Sequence, residues 1–356
     1  MSPAAPGHSR LAHTATPPGD SVALPLSPVA PWILAQTAQL LQQPGHALLL
    51  HGPSGLGQFD LALELTRAWL CERPGPVGAC HACASCHAVD VQAHGDLFVL
   101  MPETVLLELG WPLGEKAQSE IDDKKRKASK EIRIDAMRDA LEFSQRTSGS
   151  DQGKMVLVYP AERMNSTTAN ALLKTLEEPP GSVRFVLASE AAYQLLPTIR
   201  SRCQAHSMAW PEEGDAIAWL LARGVSPDVA GTVLRASGER PRDALRLASA
   251  AQAGIRWQSI PKALHQGDDS ALQKLSAAEL IDLLQKICHD LQLRAVGAQP
   301  RFFALHDLPS PAPLPVLSDW GKELSRARRT AEHPFNPGLM SEALLDRAKN
   351  ALNSRC

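Results

Sequence analysis

"HGPSGLGQFD", residues 51 to 60, decides how this chain is read. The apolar run Ala47-Leu48-Leu49-Leu50 leads into it and the helical pattern FDLALELTRAWL follows, so the segment reads as strand, glycine loop and helix in succession. A phosphate-binding loop has the pattern G-x-x-x-x-G-K-[ST]: backbone N–H groups wrap the phosphates, the lysine neutralises them and the hydroxyl holds magnesium. Here Gly52 and Gly57 take the glycine places, with Gly55 between them. Gln58 stands where the lysine belongs and Phe59 where the hydroxyl belongs. The frame of the loop is present without its cation or its metal ligand.

Working outward, HALLLHG, KMVLVYP (154–160) and RFVLAS (184–189) read as buried strands. Pro31 to Leu41 reads as an amphipathic helix. A helix capped near Asn165 or Ser166 follows the second strand and is stopped by Pro179-Pro180-Gly181, and LLPTIRSRC reads as a further short helix. Strands alternating with helices predict a parallel α/β sheet covered on both faces. After Trp210-Pro211 no strand pattern returns: 212–250, 270–298 and 314–353 are helical, with PSPAPLP (309–315) as a connector. The expected organisation is a leader over 1–21, an α/β domain over 22–210, a small helical lid over 211–252 and a helical unit over 253–356. The stretch of about 101–131, with its Lys124-Lys125-Arg126-Lys127 run, reads either as a solvated insertion, since Glu120, Asp122 and Asp123 offset its charge, or as a DNA-contacting patch.

The chain has 356 residues, 44% of them hydrophobic, and a net charge of −2. That charge argues against strong nucleic-acid binding by bulk electrostatics. No apolar run approaches the ~18 residues of a membrane helix, so no membrane partner is expected, and the cysteine usage points to a cytoplasmic location. Of seven cysteines, Cys71, Cys80, Cys83 and Cys86 fall within 16 residues in the spacing C-x8-C-x2-C-x2-C. Two-residue gaps let turns aim successive sulfurs at one ion, which suits structural Zn2+ in a module over 71–90. A disulfide pair, a redox pair and an iron–sulfur cluster are the competing readings, and His81 and His87 are spare ligands.

The segment "ERMNSTTANALLKTLEEPPGSVRFVLAS…LLPTIRSRCQ" resembles the clamp-loader branch of the AAA+ ATPases, in particular the gamma/tau and delta-prime subunits of bacterial DNA polymerase III. The resemblance runs from about residue 30 to 350. It places the four cysteines at that branch's zinc module, Gly238 to Leu245 (GERPRDAL) at the sensor-2 helix of the lid, Ser189 at the sensor-1 position, and HPFNPGLMSEALL (333–345) in the final helices of an oligomerising collar. It implies a P-loop NTPase (AAA+) fold. A hydrolysing member carries an Asp-Glu pair at the end of its second strand to hold magnesium and position water; those positions here are Pro160 and Ala161.

Four departures together imply no functional ATP site, as in the delta-prime branch. The resemblance further implies that Arg202, in the trio Ser201-Arg202-Cys203, is an arginine finger acting in trans on a neighbour's ATP. The implied partners are gamma/tau ATPases and a delta subunit, and through the complex the sliding clamp and primed DNA. An ATPase with a divergent loop and a zinc-dependent nucleic-acid module are the alternatives. Whether the loop accepts ADP, and whether Arg242 contacts anything or is solvated, the sequence leaves open.

Overall fold

The computed structural model describes residues 29–252, 256–273, 275–330 and 337–354. The leader over 1–21 and the start of the 333–345 stretch lie outside them. Helix α1 (Pro31–Leu41) has proline at its first turn, where no N–H is needed. Strand β1 (Ala47–His51), helices α2 (Gln58–Leu70) and α3 (Ala84–Asp90), strand β2 (Leu97–Leu100), helices α4 (Glu103–Glu108), α5 (Glu115–Asp122) and α6 (Ile134–Gln145), strand β3 (Lys154–Val158), helix α7 (Ser166–Glu177), strand β4 (Val183–Ser189), helix α8 (Pro197–Arg200) and strand β5 (Gln204–Ser207) follow in order. The five strands form one sheet in the order β2-β3-β4-β1-β5, every pair parallel.

Strand periodicity sorts the core into two layers. Leu48, Leu50, Met155, Leu157, Val186 and Ala188 face α1 and α2. Ala47, Leu49, Val156, Val158, Phe185 and Leu187 face the opposite layer, which holds α6, α7 and α8. Central strands buried on both faces are why β1, β3 and β4 read as continuous apolar runs. The strand expected over 154–160 ends at Val158. The other two strands give weak sequence signals: β2 has only four residues, and β5, QAHS, is a polar, largely exposed edge strand.

The 101–131 stretch is largely solvent-exposed, as the solvated reading expects, but it is not an irregular loop. It carries α4 and α5, and Arg126 turns inward from the basic run: its Nη2 donates to Glu103 Oε1 at 2.7 Å and its Nε to Glu120 Oε2 at 2.7 Å. These contacts hold the Glu103 carboxyl below its ordinary range, the Arg126 hydrogen bond being the main cause. Lys125 is spent on Asp123 at 2.8 Å.

Beyond the sheet come helices α9 (Glu213–Leu221), α10 (Pro227–Ala236) and α11 (Pro241–Gln252). They share one core with α1 and α2: Trp219 of α9 meets Trp32 of α1 with ring centroids 5.7 Å apart. Helices α12 (Ile260–His265), α13 (Ala277–Ala295), α14 (Leu314–Thr330) and α15 (Pro337–Asn353) build a separate core around Leu284, Ile287, Leu317, Trp320 and Ala348. A capping box starts α13: the Ser276 hydroxyl accepts from the Glu279 N–H while the Glu279 carboxylate takes the Ser276 N–H at 2.9 Å.

Candidate functional site

The glycine loop sits at the carboxyl end of β1, a central strand, where parallel sheets place their ligand crevices. Gly57, in the left-handed conformation, turns the chain into α2. Trp32 Nε1 donates to Leu56 O at 3.2 Å and fixes the loop against α1.

The loop is filled by its own protein. Buried Gln58 folds back and donates to Gly52 O at 2.9 Å and Pro53 O at 2.7 Å, so its amide stitches loop carbonyls together. Phe59 stacks on Tyr159 at 5.2 Å and meets the edge of Trp111 at 6.4 Å, so the magnesium-ligand position belongs to an aromatic cluster. Pro160 and Ala161 follow Tyr159 without a carboxylate.

The start of α11 closes over the loop. The Arg242 backbone N–H donates to Gly55 O at 3.1 Å, and the Arg242 guanidinium pairs with Asp60 on α2. Arg242 is therefore paired with α2 while its side chain stays partly open to solvent. Arg240 reaches Ser54 Oγ at 3.1 Å and Asp243 Oδ2 at 3.1 Å. The Asp243 carboxylate lies directly over Gly55: a Cβ there would stand 2.6 Å from Asp243 Cγ.

More negative charge gathers at the neighbouring strand ends. Tyr159 donates to Glu190 Oε1 at 3.0 Å, Glu162 Oε1 accepts the Glu190 N–H at 3.0 Å, and Glu162 Oε2 is buried without a partner. Burial pushes the Glu190 carboxyl up, partly offset by the Tyr159 hydrogen bond and reinforced by the charges of Glu162 and Asp243. The carboxylates of Asp60 and Asp243 are paired with Arg242, Arg240 and Arg246, whereas Glu162 and Glu190 have no cationic partner among the described residues. Ser189, buried at the end of β4, accepts the Ala191 N–H at 3.2 Å. Sequence reading missed Asp60, Tyr159, Glu162, Glu190 and Asp243. The signal available was that Tyr159 adjoins the vacant acidic pair and Asp243 lies within GERPRDAL.

At the other end of α2, Cys71 is the C-cap, and Cys83 is the N-cap of α3, its sulfur accepting the Cys86 N–H at 3.4 Å. A tight turn with paired hydrogen bonds between Gly75 and Gly78 brings the chain back. The four sulfurs of Cys71, Cys80, Cys83 and Cys86 lie within 4.8 Å of one another, with Cys71–Cys83 at 3.9 Å and Cys80–Cys86 at 4.0 Å. Thiolates bound to one zinc at about 2.3 Å in a tetrahedron stand about 3.8 Å apart, so this donor set fits. The separations are too long for a disulfide, which needs about 2.05 Å. His81 is engaged elsewhere, its Nε2 3.0 Å from Glu64 Oε1 on α2. Burial pushes the Cys86 thiol up, while for Cys83 the N–H groups of Cys86 and Glu72 outweigh burial and bring it to about 6. A site of this kind leaves no coordination position open for a substrate.

Arg202 follows α8. Its Nε donates to Glu177 Oε1 at 2.7 Å and its Nη1 to Thr198 O at 2.9 Å, with the side chain about one-third exposed at 31%. Arg202 thus stands apart from the glycine loop and makes no contact there.

The model of the family described as DNA polymerase III, delta subunit matches residues 33–211. The chain is 32% identical to the DNA polymerase III subunit delta' of Pseudomonas aeruginosa over 83% of this chain and 75% of that one. Against the delta' subunit of Escherichia coli it is 32% identical over 64% of this chain and 62% of that one. Among solved structures, a gamma subunit-related protein of DNA polymerase III from Thermotoga maritima is similar at 18% identity and a TM-score of 0.47, covering 90% of this chain and 99% of that one. No helix among the described residues is long and apolar enough to cross a membrane. With its parallel sheet, phosphate-loop frame and trailing helices, the chain belongs to the delta' subunit family of DNA polymerase III.

Proposed function

We propose that this chain is a non-hydrolysing member of a cytoplasmic clamp-loading complex. It assembles with gamma/tau ATPases and a delta subunit and supplies Arg202 to a neighbour's ATP while the sliding clamp is placed on primed DNA. In this reading residues 211–252 act as the lid and 253–356 as the collar that holds the ring, and Cys71, Cys80, Cys83 and Cys86 hold a structural Zn2+ that ties the 71–90 module to the end of α2.

The observation that carries the reading is the filled loop. Gln58 is consumed by loop carbonyls, Phe59 is stacked on Tyr159, and Pro160 and Ala161 offer no carboxylate. Cation, metal ligand and water-positioning group are lost together, and hydrolysis needs all three. Arg202 is supported by family membership and by its place: an exposed pair such as Arg202–Glu177 costs little to open, on the order of 1 kcal/mol or less, so the guanidinium is free to turn toward a neighbour.

The test is a complex reconstituted with gamma/tau and delta, carrying this chain as wild type or Arg202→Ala. The variant is expected to assemble but to hydrolyse ATP and load clamps more slowly. The loss is partial because other ATP sites draw their arginines elsewhere. Lysine is expected to rescue poorly, lacking the planar fork that grips phosphate oxygens. Unchanged turnover overturns the finger, and magnesium-dependent hydrolysis by the isolated chain overturns the non-catalytic reading.

A further inference from the structure

Between α13 and α14 runs an open groove of about 590 Å3, far from both sites described above. Its lining contains no aspartate or glutamate. Along the α14 side stand Lys322, Arg326 and Arg329, all exposed; along the α13 side stand Gln285, whose Oε1 accepts from Arg328 Nη1 at 3.1 Å, and Gln292, whose Nε2 donates to Leu317 O at 3.0 Å. Gly321 opens the floor: a Cβ there would meet Gln292 Nε2 at 3.3 Å. Lys322 shares its ammonium with Asp319 at 2.9 Å, whereas Arg326 and Arg329 are joined to no carboxylate among the described residues. Asp290, on the adjacent turn of α13, is buried and turned to the N–H groups of Arg301, Phe302 and Phe303, with His289 Nδ1 3.2 Å away.

The three cations occur at i, i+4 and i+7, so they form a row on one face of α14 with steps of about 6 Å and about 4.5 Å. A row of three cations, two of them without a carboxylate partner among the described residues, matches a line of negative charge. His289 lends the lining an aromatic ring, and no large apolar side chain stands there of the kind an amphipathic acidic peptide would need as an anchor.

We propose that this groove binds the phosphodiester backbone of single-stranded nucleic acid, without reading its sequence. Arg326 and Arg329 each contact a phosphate, Lys322 adds a weaker third contact, and the Gln285 amide N–H groups donate to phosphate or sugar oxygens. The binding is modest and strongly salt-dependent, because it rests on the release of two to three counterions. The proposal does not depend on the arginine-finger or zinc assignments, since the groove lies wholly within α13 and α14.

The experiment is fluorescence anisotropy of labelled oligo-dT with the purified full chain across a salt series. The expected slope of log K against log salt is about −1.4 to −2.1, from two to three phosphates at about −0.7 each. Arg326→Gln with Arg329→Gln is expected to weaken binding about tenfold and to flatten the slope by about 1.4. Ser325→Glu, which sets an anion within the row at an exposed position, is expected to do the same without touching the core. Replacing Lys124, Lys125 and Lys127 with alanine is expected to leave affinity unchanged, and free dTTP to compete only weakly because it lacks the extended backbone. The proposal is overturned if oligo-dT does not bind, if binding survives both groove variants in correctly folded protein, if the 124–127 variant abolishes it, or if polyglutamate competes as well as oligo-dT.

Discussion

Helix α2 has a different fate at each end. At its start the frame of a phosphate loop survives, with Gly55 and Gly57 at positive φ, while Gln58 and Phe59 stand where the pattern has its lysine and hydroxyl. At its end four thiols converge on one point, with the geometry a single metal ion asks for. The difference separates two kinds of constraint. A loop's glycines are held by backbone packing, here against Trp32 and α11, and persist whether or not a ligand is bound. Four cysteine sulfurs held at separations too long for a disulfide match instead the spacing of thiolates around one cation.

The largest expected effect breaks the cysteine end of that comparison. Cys83→Ser, or removal of metal by a strong chelator, is expected to lower stability on the order of 3 kcal/mol, since loss of a metal is among the few causes of large mutational effects. Limited proteolysis is expected to cut within 72–90 while the glycine loop stays protected, and metal analysis to show zinc in the parent and its loss in the variant. Finding no zinc in the parent, or iron with sulfide, would sink the assignment. If the loop and the module lose protection together, α2 is one cooperative unit and the contrast between its ends is false.

Legibility in the sequence followed the same division. The buried central strands, the glycine frame and the cysteine spacing could be read because each is a local pattern with a short period. Edge strand β5 could not, because an exposed strand needs no apolar alternation. Nor could the helices of 103–122, where α5 buries none of its residues and the order comes from Arg126 bridging Glu103 and Glu120. The filling of the loop was half legible: Gln58 and Phe59 announced what was missing. What took its place comes from residues 100 to 190 positions away, Tyr159, Glu190 and Asp243, which only the fold brings near.

A smaller effect sharpens the loop end. Glu190 has its carboxyl pushed above the ordinary 4.5 by burial and by the charges of Glu162 and Asp243. A raised folded value means the carboxyl contributes stability while protonated, below about pH 4.5, and that this is lost as pH rises through the folded value. At neutral pH the charged form is therefore a burden, by on the order of 1 kcal/mol. Glu190→Gln keeps an acceptor for the Tyr159 hydroxyl and is expected to melt higher than the parent at pH 7. The gap should close as pH falls toward 4.5. A variant that melts lower at pH 7 would mean that the carboxylate is stabilised by something beyond Tyr159.

The smallest effect concerns how α11 grips the loop. Two kinds of contact join them: the pairing of Arg242 with Asp60, and the half-buried apposition of Asp243 with Gly55 and Ser54. The first is solvent-facing, with Arg242 44% and Asp60 28% exposed, so the coupling between them is expected to be only about 0.2–1 kcal/mol and to fade in high salt. A double-mutant cycle of Asp60→Asn and Arg242→Gln by denaturant melts measures it. If the grip is mainly steric and backbone-mediated, through the Arg242 N–H to Gly55 O bond and the fit of Asp243 over a bare glycine, both single variants will leave loop protection in hydrogen exchange nearly unchanged. Gly55→Ala, by contrast, must move the carboxylate from 2.6 Å and adopt a φ of 83° with a side chain, and is expected to loosen the helix from the loop. A coupling well above 1 kcal/mol would reverse this order, and charge would then be what holds the emptied loop shut.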